Sequence, residues 1–172
     1  ERRCSSMRQH LAILCDNTPG VLTHVAGLIS RRAINIECIN AGYTEEPDVT
    51  RINIVVTVEN KAELDQAINQ LAKLIDVIKV VNLDEAPYVS YELAMVKVKC
   101  PTPTIRCELS NLAELFHAKI VDVQPESLVF RITGREDHVE ATLIMLCQYE
   151  ILEIARTGQI SLSRGLIPLK NC

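Results

Sequence analysis

The chain has 172 residues, a formal net charge of −4, 48% apolar residues and only 3% aromatic residues. This length gives one ordinary domain or two small ones, and the apolar content is sufficient for a core, which argues against a disordered chain. The acidic balance without long Lys and Arg runs argues against a nucleic-acid partner, and the lack of 18 uninterrupted apolar residues argues against a membrane span.

Predicted elements in the first half follow the order βαββαβ. Apolar alternation predicts strands over 9–15, 34–43, 51–58 and 77–83. One helix begins at Val21 and closes at Ser30, Arg31 and Arg32, and a second helix carries Leu64, Ile68, Leu71 and Ile75 at helical spacing. The polar stretch Glu45–Asp48 is predicted to be a solvated hairpin loop.

The second half repeats this order after a short predicted linker at Asp84–Tyr88. Its predicted strands are 92–100, 119–124, 127–134 and one within 150–164, and its helices carry Leu109, Leu112, Ala113 and Phe116, then Val139, Leu143, Leu146 and Cys147. The fold class is therefore α+β, with tandem ferredoxin-like units whose helices lie on one face of a four-stranded antiparallel sheet. Because the other face is also apolar, we expect one unit to cover another, within the chain or across a dimer.

Seven cysteines occur without a C-x-x-C pair or a metal-ligand spacing, at positions 4, 15, 38, 100, 107, 147 and 172. We interpret them as free, mostly buried apolar side chains in a reducing compartment, and we predict no metal site. The chain opens on Glu1 without an apolar signal segment, which suits a processed or excised piece. Bacterial cytoplasm and plastid stroma both stay open as locations.

The first loop, Asp16–Leu22, is the one segment with ligand chemistry. Gly20 precedes a helix, where free N–H groups favour an anion such as a carboxylate, and the Asn17 amide suits an ammonium group. The alternative is a simple capped turn in which Asn17 and Thr18 satisfy helix N–H groups. Elsewhere the four histidines are scattered and the acidic residues lie at element ends, so no catalytic site is predicted.

The same loop carries a resemblance to a known family. It begins with the run from Asn17 to Leu22, the segment 27–32 and the triplet Asn35, Ile36, Glu37. In these residues the chain resembles the small regulatory subunit of acetohydroxyacid synthase (acetolactate synthase). The resemblance continues in order through segments 48–52 (DVTRI), 70–77 (QLAKLIDV), 91–98 (YELAMVKV), 116–123 (FHAKIVDV), 153–158 (EIARTG) and 161–165 (SLSRG). It covers nearly the whole chain.

The resemblance implies an N-terminal ACT domain over residues 8–84 and an ACT-like domain over 89–165. It implies a subunit without catalysis or cofactors of its own, which activates a large subunit that holds thiamine diphosphate, FAD and magnesium. It also implies feedback inhibition by valine, with leucine and isoleucine as further effectors, bound between two ACT domains of a homodimer. The implied effector residues are Asn17, Pro19, Gly20, Val21, Leu22 and Thr23 of one chain, with Asn35 of the other.

The chain departs from the family pattern at four places. Ala33 replaces the usual glycine, Ile34 replaces an aromatic residue, and segment 39–43 (INAGY) differs from the usual small, apolar run. In the second repeat, Pro101–Thr104 stand where the first has Asn17–Gly20. We therefore predict no amino-acid site in the second repeat. A free-standing ACT-type sensor that regulates another enzyme or a transcription factor is the alternative from a different class, and a small enzyme is a third.

Overall fold

The computed structural model describes residues 6–166, 168 and 169. Within them the strands are β1 (Met7–Asp16), β2 (Asn35–Tyr43), β3 (Val49–Val58), β4 (Val77–Asn82), β5 (Tyr88–Lys99), β6 (Lys119–Gln124), β7 (Ser127–Gly134), β8 (Ile151–Arg156) and β9 (Ile160–Ser163). The helices are α1 (Val21–Arg31), α2 (Lys61–Leu71), α3 (Pro103–Leu115) and α4 (Glu136–Leu146), with a 3-10 turn at Leu83–Glu85.

The chain forms two compact units, and each has the predicted βαββαβ order. The first unit runs to Val89 and takes up the chain again from Ser161, whereas the second is Ser90–Ile160. The segment 161–165, which the resemblance placed with the second repeat, thus clusters with the first unit. The predicted linker at Asp84–Tyr88 contains the end of the 3-10 turn and the first residue of β5.

Each unit contains an antiparallel sheet of the expected ferredoxin-like kind. The strand order is β2-β3-β1-β4 in the first and β6-β7-β5-β8 in the second. In the first sheet, alternate residues such as Ile13 and Ile52 pair across strands and join a core with Val25 and Leu64 of the helices. Phe130 and Leu109 occupy the corresponding core of the second unit. The predicted fold class is confirmed.

The opposite face of the first sheet is covered in part by its own unit. Ala12 and Leu14 of β1 are buried in a small cluster with Leu83 of the 3-10 turn and Leu169 near the end of the chain. This cluster forms because the chain returns to the first unit after β8. The expectation that another unit covers the rest of this face stays a prediction.

Two element predictions differ from the structure. The second helix ends at Leu71 because the chain turns there, with Lys73 N donating to Gln70 O and Leu74 N to Leu71 O, so Ile75 lies outside the helix and is 94% exposed. The single strand predicted within 150–164 is two strands, β8 and β9. The three residues between them include Gly158, whose φ of 72° belongs to the left-handed region and breaks the extended chain.

The prediction of mostly buried cysteines is confirmed at Cys15 and Cys100 and is wrong at Cys147, which the helical spacing places with the apolar stripe of α4. Cys15 and Cys100 are buried and Cys38 is half-buried, but Cys107 and Cys147 are exposed. Cys147 follows the last residue of α4 and caps it instead of packing in its apolar stripe. Cys4 and Cys172 lie outside the described residues.

We expect Cys15 to resist alkylation in the folded protein. Burial, and after it the charges of Asp16 and Asp76, raise the pKa of its thiol, so the reactive thiolate is disfavoured at neutral pH. Iodoacetamide at pH 7.5 followed by mass spectrometry should label Cys107 and Cys147 first. Labelling in denaturant is the control, and equal rates for all three thiols in the native protein would contradict the expectation.

Replacement of Ala33 by glycine should raise the free energy of unfolding by about 1 kcal/mol. Ala33 follows the end of α1 with φ 56°, and its N–H donates to Ser30 O at 3.0 Å, which is a helix-ending geometry that favours glycine. Urea unfolding measures the change. The matched variant Ala26→Gly, inside α1, should change stability in the opposite direction. Destabilisation by both variants would refute the assignment of strain to Ala33.

Candidate functional site

The loop before α1 is shaped by a Pro-Gly turn. Pro19 and Gly20 occupy its central positions, Val21 N donates to Thr18 O at 3.4 Å, and Gly20 has φ 93° and ψ −13°, as a type II turn requires. Gly20 is also the residue that precedes the first helical residue, and it has no side chain with which to cap the helix. The amides of the first turn therefore start at an exposed glycine, a geometry that suits an anion.

Asn17 is held to the β2–β3 hairpin and does not cap the helix. Its backbone N–H donates to Asp48 O at 2.8 Å, and its Oδ1 accepts a hydrogen bond from the Thr50 hydroxyl at 3.1 Å. Because an amide oxygen has two lone pairs, Oδ1 keeps one acceptor position for a ligand. The alternative of a turn capped by Asn17 is therefore not what the structure contains.

Asp48 and Thr50 belong to this site, although the loop sequence does not predict them. Neither residue has an obvious ligand-binding pattern in the sequence, and their roles depend on the pairing of β3 beside β1, where Asp16 faces Val49. One available signal was the segment 48–52, which carries part of the family resemblance. The β2–β3 hairpin and the loop at Asn17 are thus joined by hydrogen bonds into one site.

The other predicted effector residues separate into exposed and buried positions. Val21 is only 7% exposed and, with Val25, belongs to the core of the first unit, so its side chain faces away from the loop surface. Leu22 is 44% exposed and Thr23 is exposed, both in the first turn of α1. Of the two implied effector residues with large apolar side chains, Val21 and Leu22, the structure leaves Leu22 available to a ligand.

Asn35 lies at the far end of the sheet from this loop. It begins β2 opposite Thr57 of β3, whereas the loop lies beside the end of β3 that carries Thr50. Seven residues of strand separate these ends, which is roughly 23 Å at about 3.3 Å per residue. Asn17 and Asn35 of one chain therefore do not meet.

The edge strand β2 is the element that carries Asn35, and it has β3 as its one neighbour among the described residues. Ile39 and Tyr43 on this strand are exposed, although Ile39 pairs with the buried Ile54. An edge strand with unpaired backbone groups and exposed apolar side chains is a surface on which another strand can pair.

The first loop of the second unit has a different chemistry. Thr102 precedes α3 and its hydroxyl accepts a hydrogen bond from Ile105 N at 3.3 Å, with Pro103 as the first helical residue. The Thr102 cap occupies an N–H group of the first turn of α3, whereas no side chain caps the corresponding groups of α1. Pro103 has no N–H group, so the start of α3 has one donor fewer for a ligand. The prediction that this loop lacks an amino-acid site agrees with this geometry and stays a prediction.

The segment 153–158 of the second unit forms a structural cluster. Arg156 on β8 donates from Nε and Nη2 to the same carboxylate oxygen of Glu92 on β5, at 2.8 and 2.7 Å, and from Nη1 to Glu140 on α4 at 2.6 Å. The Glu92 side chain is 2% exposed. Beside it, Thr157 and Leu93 exchange hydrogen bonds, so this segment fixes β8 and α4 to the sheet.

Within the described residues, no group of three or more His, Cys, Asp or Glu side chains is placed to hold a metal ion. In the same part of the chain, no helix is long and apolar enough to cross a membrane.

Comparison with known proteins identifies the family. A family model described as the small subunit of acetolactate synthase matches residues 91–165, and one for an AHAS small subunit-like ACT domain matches residues 11–79. The chain is 43% identical to a probable acetolactate synthase small subunit of Archaeoglobus fulgidus, over 92% of this chain and 98% of that protein. The chain belongs to the acetolactate synthase small subunits. It is also 45% identical to the small subunit of Mycolicibacterium smegmatis over 90% of each chain.

A solved member of the small-subunit family has the same fold. The crystal structure of the acetolactate synthase small subunit from Thermotoga maritima matches with a TM-score of 0.85 and 35% identity, covering 94% of this chain and 99% of that one. The family predicted from the sequence is therefore confirmed, and the βαββαβ units are those of a small subunit with an ACT domain.

Proposed function

We propose that this chain is the regulatory subunit of an acetolactate synthase, which binds the catalytic large subunit, raises its activity and confers feedback inhibition by a branched-chain amino acid, chiefly valine. Membership of the small-subunit family supports the association. In this proposal the chain contributes no catalytic residue and no cofactor, and thiamine diphosphate, FAD and magnesium belong to the large subunit.

The observation that carries the effector site is the pairing of an exposed helix start with the Asn17 amide. A zwitterion places its carboxylate at the Gly20 end of α1 and its ammonium group at Asn17 Oδ1. Leu22 offers an exposed apolar surface for a small aliphatic side chain. The arrangement selects the class of an apolar amino acid, and since one methylene changes binding by only about 1 to 3 kcal/mol, leucine and isoleucine should bind too.

The separation of Asn17 and Asn35 supports a site shared by two copies. If the edge strands β2 of two copies pair antiparallel about a two-fold axis near Ile39, Asn35 of the second copy comes beside Tyr43 of the first. Tyr43 pairs with Thr50, which bonds Asn17, so this arrangement brings both asparagines to one site. A homodimer through the ACT sheets is therefore part of the proposal.

Effector binding at such an interface gives a simple basis for regulation. A ligand shifts an equilibrium only by the difference between its affinities for the two states, a coupling of typically about 1 to 3 kcal/mol. A site made from two copies exists only in arrangements that keep the β2 edges together, so its ligand favours those arrangements.

Reconstitution with an acetolactate synthase large subunit tests the function. Acetolactate formation should rise when the chain is added and fall again with valine, and sedimentation should show a complex. Calorimetric titration with valine, leucine and isoleucine, with and without the large subunit, ranks the effectors. Valine binding without a complex or activation would instead favour the free-standing sensor.

A further inference from the structure

The first unit contains a recess on the sheet face opposite α1 and α2. Its floor includes Leu14 and Arg51, which pair across β1 and β3 and alternate with the core residues Ile13 and Ile52. The recess has a volume of about 510 Å³, which is in the range of small-molecule sites. Its other apolar walls come from Val49, Ile78, Leu162 and Leu169.

Arg51 is the cationic group of this recess, and its hydrogen-bond partners are neutral. Nε donates to Asn53 Oδ1 at 3.1 Å and Nη2 donates to the carbonyl oxygen of Ser161 at 2.6 Å. Among residues 6–166, 168 and 169, no atom accepts a hydrogen bond from Nη1 and no carboxylate forms an ion pair with the guanidinium. The Nη1 donors of the guanidinium therefore stay available for a ligand.

The guanidinium of Arg51 has no ion-pair partner among the described residues, although the carboxylates of Glu45 and Glu46 also line the recess. Burial lowers the pKa of its guanidinium, and the charge of Glu45 opposes this shift only in part. A half-buried cation loses part of its hydration, and hydrogen bonds to neutral oxygens alone do not replace the stabilisation that an ion pair would give. Gly42 faces Arg51 on β2, and a Cβ added there would meet nothing within 4 Å, so the space beside it is open.

We propose that this recess binds a small aliphatic carboxylate. The carboxylate pairs with the Nη1 side of Arg51, and the hydrocarbon part packs on Leu14, Val49 and Ile78. A planar carboxylate matches the donor fork of arginine, and the apolar walls favour a short branched or straight chain over a polar one. A 2-oxo acid and an amino acid share this chemistry.

The recess also has a physical connection to the loop at Asn17. Tyr43, Thr44, Glu45 and Val49 of the β2–β3 hairpin line the recess, and the same hairpin accepts the Asn17 N–H at Asp48 O. A ligand that orders the hairpin in one position thus changes the surroundings of Asn17. This coupling rests on the proposed function, whereas binding in the recess does not.

Calorimetric titration of the full chain with 3-methyl-2-oxobutanoate, 3-methylbutanoate and valine tests the recess. The titrations use Gly20→Asp as background, which removes the proposed site at α1. At least one of the three should bind, and Arg51→Gln should weaken that binding at least about tenfold. The control Arg32→Gln removes an arginine of the same unit that bonds Gln66, and it should leave the affinity unchanged.

A second variant keeps the test decisive if Arg51→Gln unfolds. Ile78 lines the recess and is 44% exposed, so Ile78→Glu should fold while its charge repels the carboxylate. Binding of the oxo acid but not valine identifies an oxo-acid site, and the reverse identifies an amino-acid site. No binding by any of the three, or binding that neither variant weakens, overturns the proposal. If Gly20→Asp abolishes valine binding and none of the three ligands binds in the recess, the recess proposal fails while the proposed function stands.

Discussion

Replacement of Arg156 by alanine should lower the free energy of unfolding of the second unit by about 3 kcal/mol or more. Arg156 pairs with Glu92, whose side chain is 2% exposed, and its removal leaves that carboxylate buried without a cationic partner. A buried charge that loses its partner costs several kcal/mol because neither water nor protein replaces the lost interaction. The contact with Glu140 is lost at the same time.

Urea unfolding combined with hydrogen exchange measures this effect unit by unit, since two units need not unfold together. Glu153→Gln on the same strand is the matched control. Glu153 pairs with Lys97 at 2.6 Å on the surface, and this exposed pair should contribute little. The double variant Arg156→Met with Glu92→Leu should recover much of the lost stability because no buried charge remains. Equal stability of Arg156→Ala and Glu153→Gln would contradict the assignment.

Replacement of Gly20 by aspartate should weaken valine binding by at least about 100-fold. The new carboxylate stands at the start of α1, where the proposed site places the carboxylate of the effector. Two unit charges about 4 Å apart repel by about 4 kcal/mol at an effective dielectric constant of about 20, which corresponds to about a thousandfold in affinity. Valine titration of the wild type and the variant measures the change.

Backbone strain is separated from charge by the variant Gly20→Asn. Gly20 has φ 93°, so any side chain there is strained, but asparagine tolerates the left-handed region and carries no charge. We expect a loss of affinity for Gly20→Asn that is about tenfold smaller than for Gly20→Asp, with complex formation and activation of the large subunit kept in both. Valine inhibition that persists in Gly20→Asp would remove the loop from the effector site.

Local signals in the sequence were enough for most of the fold. The alternation of Ile52, Ile54, Val56 and Val58 predicted β3, and the Pro19–Gly20 pair marked the turn before α1. These predictions hold because strand alternation and turn chemistry depend on neighbours along the chain. Ile75 continued the helical spacing but lies beyond the end of α2, because turn hydrogen bonds at Leu71–Leu74 end the helix first.

Contacts between distant segments could not be read from spacing. Arg156 lies in a segment that carried only a family resemblance, and its pairing with Glu92 depends on β8 lying beside β5. The bond between Thr50 and Asn17 likewise depends on strand register. A shift of one residue would turn every side chain to the other face, so periodicity alone does not specify such pairs.

The sequence by itself determined the family, the two βαββαβ units and the Asn17–Gly20 loop, because these depend on residue order, apolar period and turn residues. The tertiary structure decided which residues anchor that loop, that Asn17 and Asn35 lie at opposite ends of one sheet, and that the chain from Ser161 onward returns to the first unit. It also placed Arg51 in a recess with several apolar walls, where its hydrogen-bond partners are neutral. These features arise from the pairing of segments far apart in the chain, where burial and register determine which side chains meet.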